Sequence, residues 1–402
     1  MMLRCRRALS AHRKTDSYAD GGSDSETISR IGTNLSSSSE TNSITGDYSD
    51  GSGGTVSTNT TESGNRGNPY SGYSSDTYGY TNTDGGNSLS GDFTSTAATN
   101  DTGSQTRTTT LTGGGSFTVT TGNAPTSSSQ PEDYVTDSGN SITGQYASSE
   151  TKQETYTTDE ASDGPTGSGY GFQLHSTQTV GYELDKSGDS ITGGYSGTQT
   201  YTADATTLHQ WGTNSGGAYD VTATTTDYPQ VLISGNSVSG ISTSTQSGSQ
   251  VYTLDETNTA AGGDNYHLTG GGTLTYATTE TYNANTGDDS SATPSGTPDQ
   301  DNYSYTETGT QNGQAYTQTL SGTDLYTTTC DTNDLDGGYT SNTSGTANYT
   351  SIDSISGTTT GSNPFSTSGS GNYVSGQLSI TQTGQNHFQS LRQYNDTSNG
   401  PG

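Results

Sequence analysis

Residues 182–195 read YELDKSGDSITGGY. The last eight letters return with small changes as GNSITGQY at 139–146, GNSLSGDF at 86–93 and, shortened, GNSVSG at 235–240. With a further copy ending at Gly46, the closing glycines fall at Gly46, Gly91, Gly144, Gly193 and Gly240, spaced by 45, 53, 49 and 47 residues. Degenerate copies end near Gly270, Gly322, Gly357 and Gly376. Self-similarity at a fixed period of this size marks a repeat architecture, and the drift in spacing argues against a solenoid of identical coils.

Local periodicity names the element. From 172 to 184 one parity holds Phe172, Leu174, Val180, Tyr182 and Leu184, and the other holds Gln173, His175, Thr177, Thr179 and Glu183. Apolar–polar alternation with period two belongs to a strand with one covered face. The same alternation runs through Leu274, Tyr276 and Tyr282, and through Tyr316, Leu320, Tyr326 and Cys330. The phrase itself predicts a turn at Ser187–Asp189, where glycine and Asn or Asp tolerate positive φ. Ile191 then restarts the inward face, Gly193 leaves room for a neighbouring ring, and Tyr195 (Tyr146, Tyr48 and Phe93 elsewhere) points the same way. Each unit of about 48 residues is expected to hold several strands of about 6–10 residues, stable only when stacked on its neighbours.

The expected fold is therefore all-β, a repetitive antiparallel β-hairpin ribbon or irregular β-solenoid, with a largely disordered chain as the alternative. Residues 1–40 are expected to be a disordered leader, 41–384 the β-rich repeat region, and 385–402 a disordered tail.

Composition shapes both readings. Only 23 % of the 402 residues are hydrophobic and the net charge is −30, which favours disorder. Against this stand 27 Tyr, since disordered chains are depleted in aromatics, and 57 Gly, which would interrupt helices throughout. Of the 11 Lys and Arg residues, Arg4, Arg6, Arg7, Arg13 and Lys14 lie in the first fourteen residues, so the rest of the chain is almost free of cations. Such a surface repels phosphate backbones and anionic lipid, excluding nucleic-acid partners. No apolar run exceeds the length of VLI at 231–233, so no membrane insertion is expected. The basic start lacks the apolar stretch of a secretory signal, which fits a segment of a larger chain whose true start lies elsewhere. Cys5 and Cys330, far apart, give neither a disulfide framework nor a zinc motif.

The phrases YELDKSGDSITGGY, VYTLDETNTA (251–260) and YSYTETGTQNG (303–313) resemble the Tyr-Thr-Leu-Thr-Glu-Thr-Gly-type repeats of large bacterial surface proteins, notably of planctomycetes, which accompany RHS/YD-repeat proteins. The chain has no run of YDxxGRL units. The resemblance implies extended β-ribbon outside the cell. The function expected is non-enzymatic: an extracellular or cell-surface repeat segment with a structural or adhesive role, whose partners are copies of itself or neighbouring repeats of a larger surface protein. The alternative is an acidic Gly/Ser/Thr-rich disordered linker.

Chemical motifs are sparse. His12, His175, His209, His267 and His387 show no ligand spacing and read as polar strand residues. GPTGSGYG (164–171) lacks the Lys-Ser/Thr of a phosphate loop and reads as a linker. Trp211 reads as part of a sheet face, and nothing supports a carbohydrate partner. CDTNDLDGG (330–338) alone has cation-ligand character: Asp331, Asn333, Asp334 and Asp336 place hard oxygens around a tight turn, as calcium prefers. No cofactor is expected beyond weakly held calcium there, relieving repulsion among uncompensated carboxylates.

Overall fold

The computed structural model describes residues 5–9, 12–19, 25–65, 68–111, 114–125, 131–164, 169–214, 217–260, 264–354, 357–385 and 387–391. Every element among them is a strand, and every described pairing is antiparallel. Among the described residues no helix is long and apolar enough to cross a membrane. The chain divides into two compact units, residues 1–214 with 226–242, and 215–225 with 243–402.

In the first unit the strands are β1 (Cys5–Leu9), β2 (His12–Ala19), β3 (Ser25–Thr41), β4 (Asp47–Asn65), β5 (Pro69–Asn87), β6 (Asp92–Thr110), β7 (Ser116–Ala124), β8 (Asp133–Asn140), β9 (Gln145–Ser162), β10 (Gly171–Asp189) and β11 (Gly194–Asn214). β12 (Gly217–Asp227) lies mainly in the second unit, and β13 (Gln230–Asn236) in the first. The second unit continues with β14 (Ile241–Ala260), β15 (Asn265–Asn283), β16 (Asp288–Ala292), β17 (Asp299–Gln311), β18 (Gln314–Asn333), β19 (Gly338–Asp353), β20 (Gly357–Asn372), β21 (Gln377–Gly384) and β22 (His387–Leu391).

Within each unit the strands form a meander in which each row bonds to the row before and after it in sequence. Some rows are split in two: β7 and β8 lie end to end between β6 and β9, and β16 and β17 between β15 and β18. All substantial contacts between described strands of a unit join hydrogen-bonded neighbours, so each unit is a single layer.

Several sequence expectations change here. A repeat is two long rows, with β4, β5, β6 and β10 each 19 residues, instead of several short strands. At about 3.3 Å per residue such a row runs about 60 Å. The disordered reading of the repeat region is set aside, since strands fill it. Strands also lie within 1–40, where a leader was expected, and β22 lies within the expected tail. The alternation is real but local. Leu174 and Leu184 are half-buried between exposed neighbours, whereas Val180 is no more covered than Thr179. The pattern slips at the bulge where Gly181 faces Ala203 and Tyr182 faces Tyr201. Ile191, expected to face inward, is 64 % exposed because it belongs to a turn.

No hydrophobic side chain among the described residues is buried. Backbone ladders carry the sheet, each bond worth about 0.5–1.5 kcal/mol net, and tyrosine and glycine close its surface together. Tyr48 stands opposite Gly86, Phe93 opposite Gly139, Tyr146 opposite Gly188, and Tyr195 opposite Gly235. A Cβ on Gly188 would lie 2.7 Å from the Tyr146 hydroxyl, and one on Gly139 would lie 2.9 Å from the Phe93 ring. Each ring thus lies over the glycine of the next row. Covering one ring face is worth about 1–2 kcal/mol at ~25 cal/mol per Å². In the second unit the same alternation crosses the sheet as Gly272, Tyr303, Gly322, Tyr349 and Gly361, each opposite the next. Where the aromatic is missing the glycine is missing too: Asp289 faces Thr332.

Candidate functional site

The repeated phrase is a turn, and the turns of each unit stack along one edge. Asn87 Oδ1 accepts the N–H groups of Leu89 (2.9 Å) and Ser90 (3.0 Å), and the Asn87 carbonyl accepts Gly91 N–H (2.9 Å). Asn42, Asn140, Asp189 and Asn236 do the same in their turns. The requirement for Asn or Asp at the first position is this double acceptance. Gly46, Gly91, Gly144, Gly193 and Gly240 close the turns with φ between 73° and 81°, where a side chain is strained.

Each turn then bonds to the one before it. Ser88, Ser141, Ser190 and Ser237 donate their N–H to the carbonyls of Gly46, Gly91, Gly144 and Gly193 at 2.7–2.8 Å. Asn87, Asn140 and Asn236 donate Nδ2 to the carbonyls of Thr45, Ser90 and Thr192, each at 2.9 Å. The aliphatic residue of each phrase sits on the preceding glycine: a Cβ on Gly46 would meet Leu89 at 2.7 Å, on Gly91 Ile142 at 2.6 Å, on Gly144 Ile191 at 2.7 Å, and on Gly193 Val238 at 2.7 Å. The closing glycine therefore makes room for an aliphatic side chain of the next repeat, where the sequence pointed to a ring.

The second unit carries its own ladder, with turns at Asn283–Gly287, Asn333–Gly337 and Asn372–Gly376. Asp334 N–H donates to the Gly287 carbonyl (2.8 Å) and Tyr373 N–H to that of Gly337 (2.9 Å). Gly270 and Gly322, read from the sequence as phrase endings, lie inside strands, and Gly357 begins one. The signal that finds Gly287 and Gly337 is a four-residue step from Asn to Gly, recurring at the repeat spacing.

The four residues expected to hold calcium belong to this ladder. Asn333 Oδ1 accepts Leu335 N–H (2.9 Å) and Asp336 N–H (3.0 Å), and its Nδ2 donates to the Thr286 carbonyl (3.1 Å) and Asp288 Oδ1 (2.7 Å). Asp336 Oδ1 accepts Gly338 N–H (2.8 Å), Asp331 lies within β18 opposite Thr340, and Asp331, Asp334 and Asp336 are exposed. Among the described residues no three His, Cys, Asp or Glu side chains come together as a group that could hold a metal ion. One side-chain oxygen each of Asn333 and Asp336 is thus engaged with backbone N–H groups. Cys330 is a free, half-buried thiol, raised by burial and by Asp331 and Asp289; the side chain of Cys5 is outside the described residues.

Two arrangements were invisible in the sequence. The first surrounds the break between β7 and β8. Glu132 and Glu154 are 7 % and 3 % exposed. Glu132 accepts Asp101 N–H at 2.6 Å; Glu154 accepts the Tyr156 hydroxyl and lies 3.3 Å from Lys152 Nζ. Burial, and then neighbouring Asp76, push Asp101 up to about 6, and burial followed by Glu154 raises Glu132. Asp101 and Glu132 therefore hold their protons to a higher pH than exposed carboxylates do. Elsewhere tyrosine hydroxyls act as donors in place of absent cations: Tyr182 to Glu150, Tyr252 to Asp301, Tyr266 to Glu256 and Tyr316 to Glu307.

The second is a relay on an open face. Asp159 Oδ1 lies 2.7 Å from His175 Nδ1, and His175 Nε2 lies 3.1 Å from Thr177 Oγ1. This is the connectivity of an acid–base–nucleophile triad. Asp159 and His175 are about half exposed, and β10 pairs on both sides through this stretch, leaving no backbone N–H to hold an oxyanion. Trp211 stacks on His209 with ring centroids 4.2 Å apart, as part of a sheet face.

No family model, curated protein or solved structure matches this chain.

Proposed function

We propose that this chain is a non-enzymatic structural segment of an extracellular or cell-surface protein, a polar β-ribbon that extends, shields or adheres. The observation that supports this best is the turn ladder joined to the tyrosine–glycine rows. Together they make rows that propagate repeat by repeat with no apolar side chain buried among the described residues, so that their length can grow without changing their chemistry. A bonding scheme of hydroxyls, amides and carboxylates suits a surface that stays in water on both faces. Resemblance to the Tyr/Thr/Gly-rich repeats of bacterial surface proteins points to the same placement.

The test is antibody labelling of intact, unpermeabilised source cells, paired with protease shaving. Labelling of intact cells and loss of the signal on shaving are expected. A chain labelled only after permeabilisation would overturn the proposal.

A further inference from the structure

We propose that Lys152 and Asp133 become covalently joined, the Lys152 amine condensing with the Asp133 carboxyl to an isopeptide bond that ties β9 to β8, with Glu154 moving the protons. This goes beyond the reading of the chain as a surface segment and does not depend on where the chain resides.

The register brings the two partners together. Asp133 opens β8 and stands directly opposite Lys152 of β9. Side chains opposite each other share a face, with Cβ atoms about 4.5–5.5 Å apart, a gap that a lysine side chain spans. Asp133 Oδ1 is buried and has no hydrogen-bond partner. Asp101, Asp289 and Asp324 also carry a buried, unpartnered Oδ1. Across the rows, however, Asp101 faces Tyr78, Asp289 faces Tyr282 and Thr332, and Asp324 faces Asp301 and Ala347. Asp133 faces a primary amine.

The third group lies on the same face of β9. Glu154, two residues from Lys152, is 3 % exposed, and its Oε2 is 3.3 Å from Lys152 Nζ. The Tyr156 hydroxyl bonds to the same oxygen and holds it in place. Burial, and then the charge of Glu150, push the Asp133 carboxyl up against the opposing pull of Lys152. A carboxyl that keeps its proton is open to attack, whereas a carboxylate is not. An ammonium group becomes a nucleophile only when a neighbouring base takes its proton, and Glu154 is in contact to do so.

The step balances within these three groups. The Lys152 ammonium passes one proton to the Glu154 carboxylate, and the free Nζ attacks Asp133 Cγ. The Nζ–Cγ bond forms and the Cγ–OH bond breaks. Glu154 delivers its proton to the departing hydroxyl, which leaves as water, and takes a second proton from Nζ. The products are a neutral amide, a neutral Glu154 and one water, with no further reactant. A buried ion pair beside an unpartnered acid is replaced by neutral groups, which removes the desolvation cost of two charges. Holding amine and carboxyl on facing rows makes the condensation intramolecular, the condition under which it outruns its bimolecular counterpart in water. The bond falls where the layer is weakest. β8 has only 8 residues and begins at a break in its row, and the bond fastens it to the 18 residues of β9.

The test is the mass of the intact, denatured full chain, measured beside Lys152→Arg, Asp133→Ala and Glu154→Gln, with circular dichroism to check that each variant folds. The wild type is expected to be lighter than its sequence by one water and to yield, on proteolysis, a branched peptide joining Lys152 to Asp133. All three variants should keep the full sequence mass. Glu154→Gln keeps both partners and nearly the same shape, so loss of the bond there reports proton transfer. A folded wild-type chain at full sequence mass overturns the inference, as does a branch between any other pair of residues or a folded Glu154→Gln chain that forms the bond as the wild type does. The wild-type mass and branched peptide decide the matter even where a variant fails to fold. Failure of cell-surface labelling leaves this result standing.

Discussion

Gln145 donates its side-chain amide to Asp189 Oδ2 at 2.7 Å, reversing a polarity that the neighbouring repeats keep the other way. At the corresponding places Asn87 donates to Asp47 and Asn140 to Asp92, both at 2.7 Å. The turn needs an acceptor at its first position, and either Asn or Asp supplies it. Only Asn can also donate to the previous row, so a repeat that writes Asp must find its donor there. The prediction is asymmetric. Asn87→Asp sets two carboxylates against each other and leaves the Thr45 carbonyl without its amide partner, at a cost of about 1–3 kcal/mol. Asp189→Asn needs only a rotation of the Gln145 amide and should cost less than ~1 kcal/mol. Thermal unfolding of the two variants compares them directly, and equal losses would refute the polarity argument.

The tyrosine–glycine rows predict the effect of a small addition. In Gly188→Val the new Cβ would lie 2.6 Å from the Gly194 carbonyl and 2.7 Å from the Tyr146 hydroxyl. The ring must lift off, with a loss of about 1–3 kcal/mol. Near-UV circular dichroism and hydrogen exchange should report the change in β9–β11 and leave the second unit protected. Uniform loss of protection would mean one cooperative body in place of repeats.

Stability should fall as the pH rises from about 4 to about 6. Asp101, raised to about 6 by burial and Asp76, binds its proton more tightly folded than unfolded. Glu132, Asp133, Asp204 and Asp324 shift the same way, burial being the first cause for each. A raised acid favours the fold below its unfolded value near 4, and this advantage is lost as the pH climbs through the folded value. The turn residues Asp47, Asp92, Asp189 and Asp288 are lowered by their hydrogen bonds, so their contribution is lost as the pH falls below about 4. Melting temperatures across pH 3–8 should peak near pH 4–5, and Asp101→Asn should flatten the decline above the peak. A Tm that rises steadily from pH 4 to 7 contradicts this.

Tyrosine supplies a second, alkaline limit. Hydrogen bonds to Glu154, Glu256 and Glu307 hold Tyr156, Tyr266 and Tyr316 up at about 12. These rings keep their protons in the folded sheet at a pH where an unfolded tyrosine, near 10, loses its own, so stability drops as pH rises above 10. Absorbance titration should show part of the tyrosine ionising only with unfolding, and Glu154→Gln should bring Tyr156 into the ordinary range.

Asn333→Ala should lower local stability by about 1–2 kcal/mol, with or without calcium, because the side chain caps backbone N–H groups and bonds to Thr286 and Asp288. Hydrogen exchange at Leu335 and Asp336 measures it. A loss seen only when calcium is present would instead support a cation site there.

Much of this was legible in the residues, and the misreadings have a common cause. The period, the all-β character and the turn chemistry of Asn, Asp and Gly follow from local preferences that each residue carries with it. The same letters misled at Ile191: an aliphatic two residues after a turn signal looks like the start of a strand, but GDSITG is the turn, and Ile191 reaches across to Gly144. The cation-like look of Asp331–Asp336 has a similar source, since NDLDG is a copy of the phrase whose resemblance to NSITG is hidden by its carboxylates.

The sequence by itself determined that the chain repeats, that its rows are strands and that glycine and tyrosine are its structural currency. It did so because φ preference, side-chain alternation and spacing are properties of neighbouring residues. Only the tertiary structure decided who faces whom. In a meander whose rows run about 19 residues, the partners of one residue lie on other rows, and Asp47 meets Asn87 across 40 positions. Those encounters depend on where each turn begins and where each bulge slips the register. That is why neither the burial of Glu132 beside Glu154 nor the His175 relay can be read from one row alone.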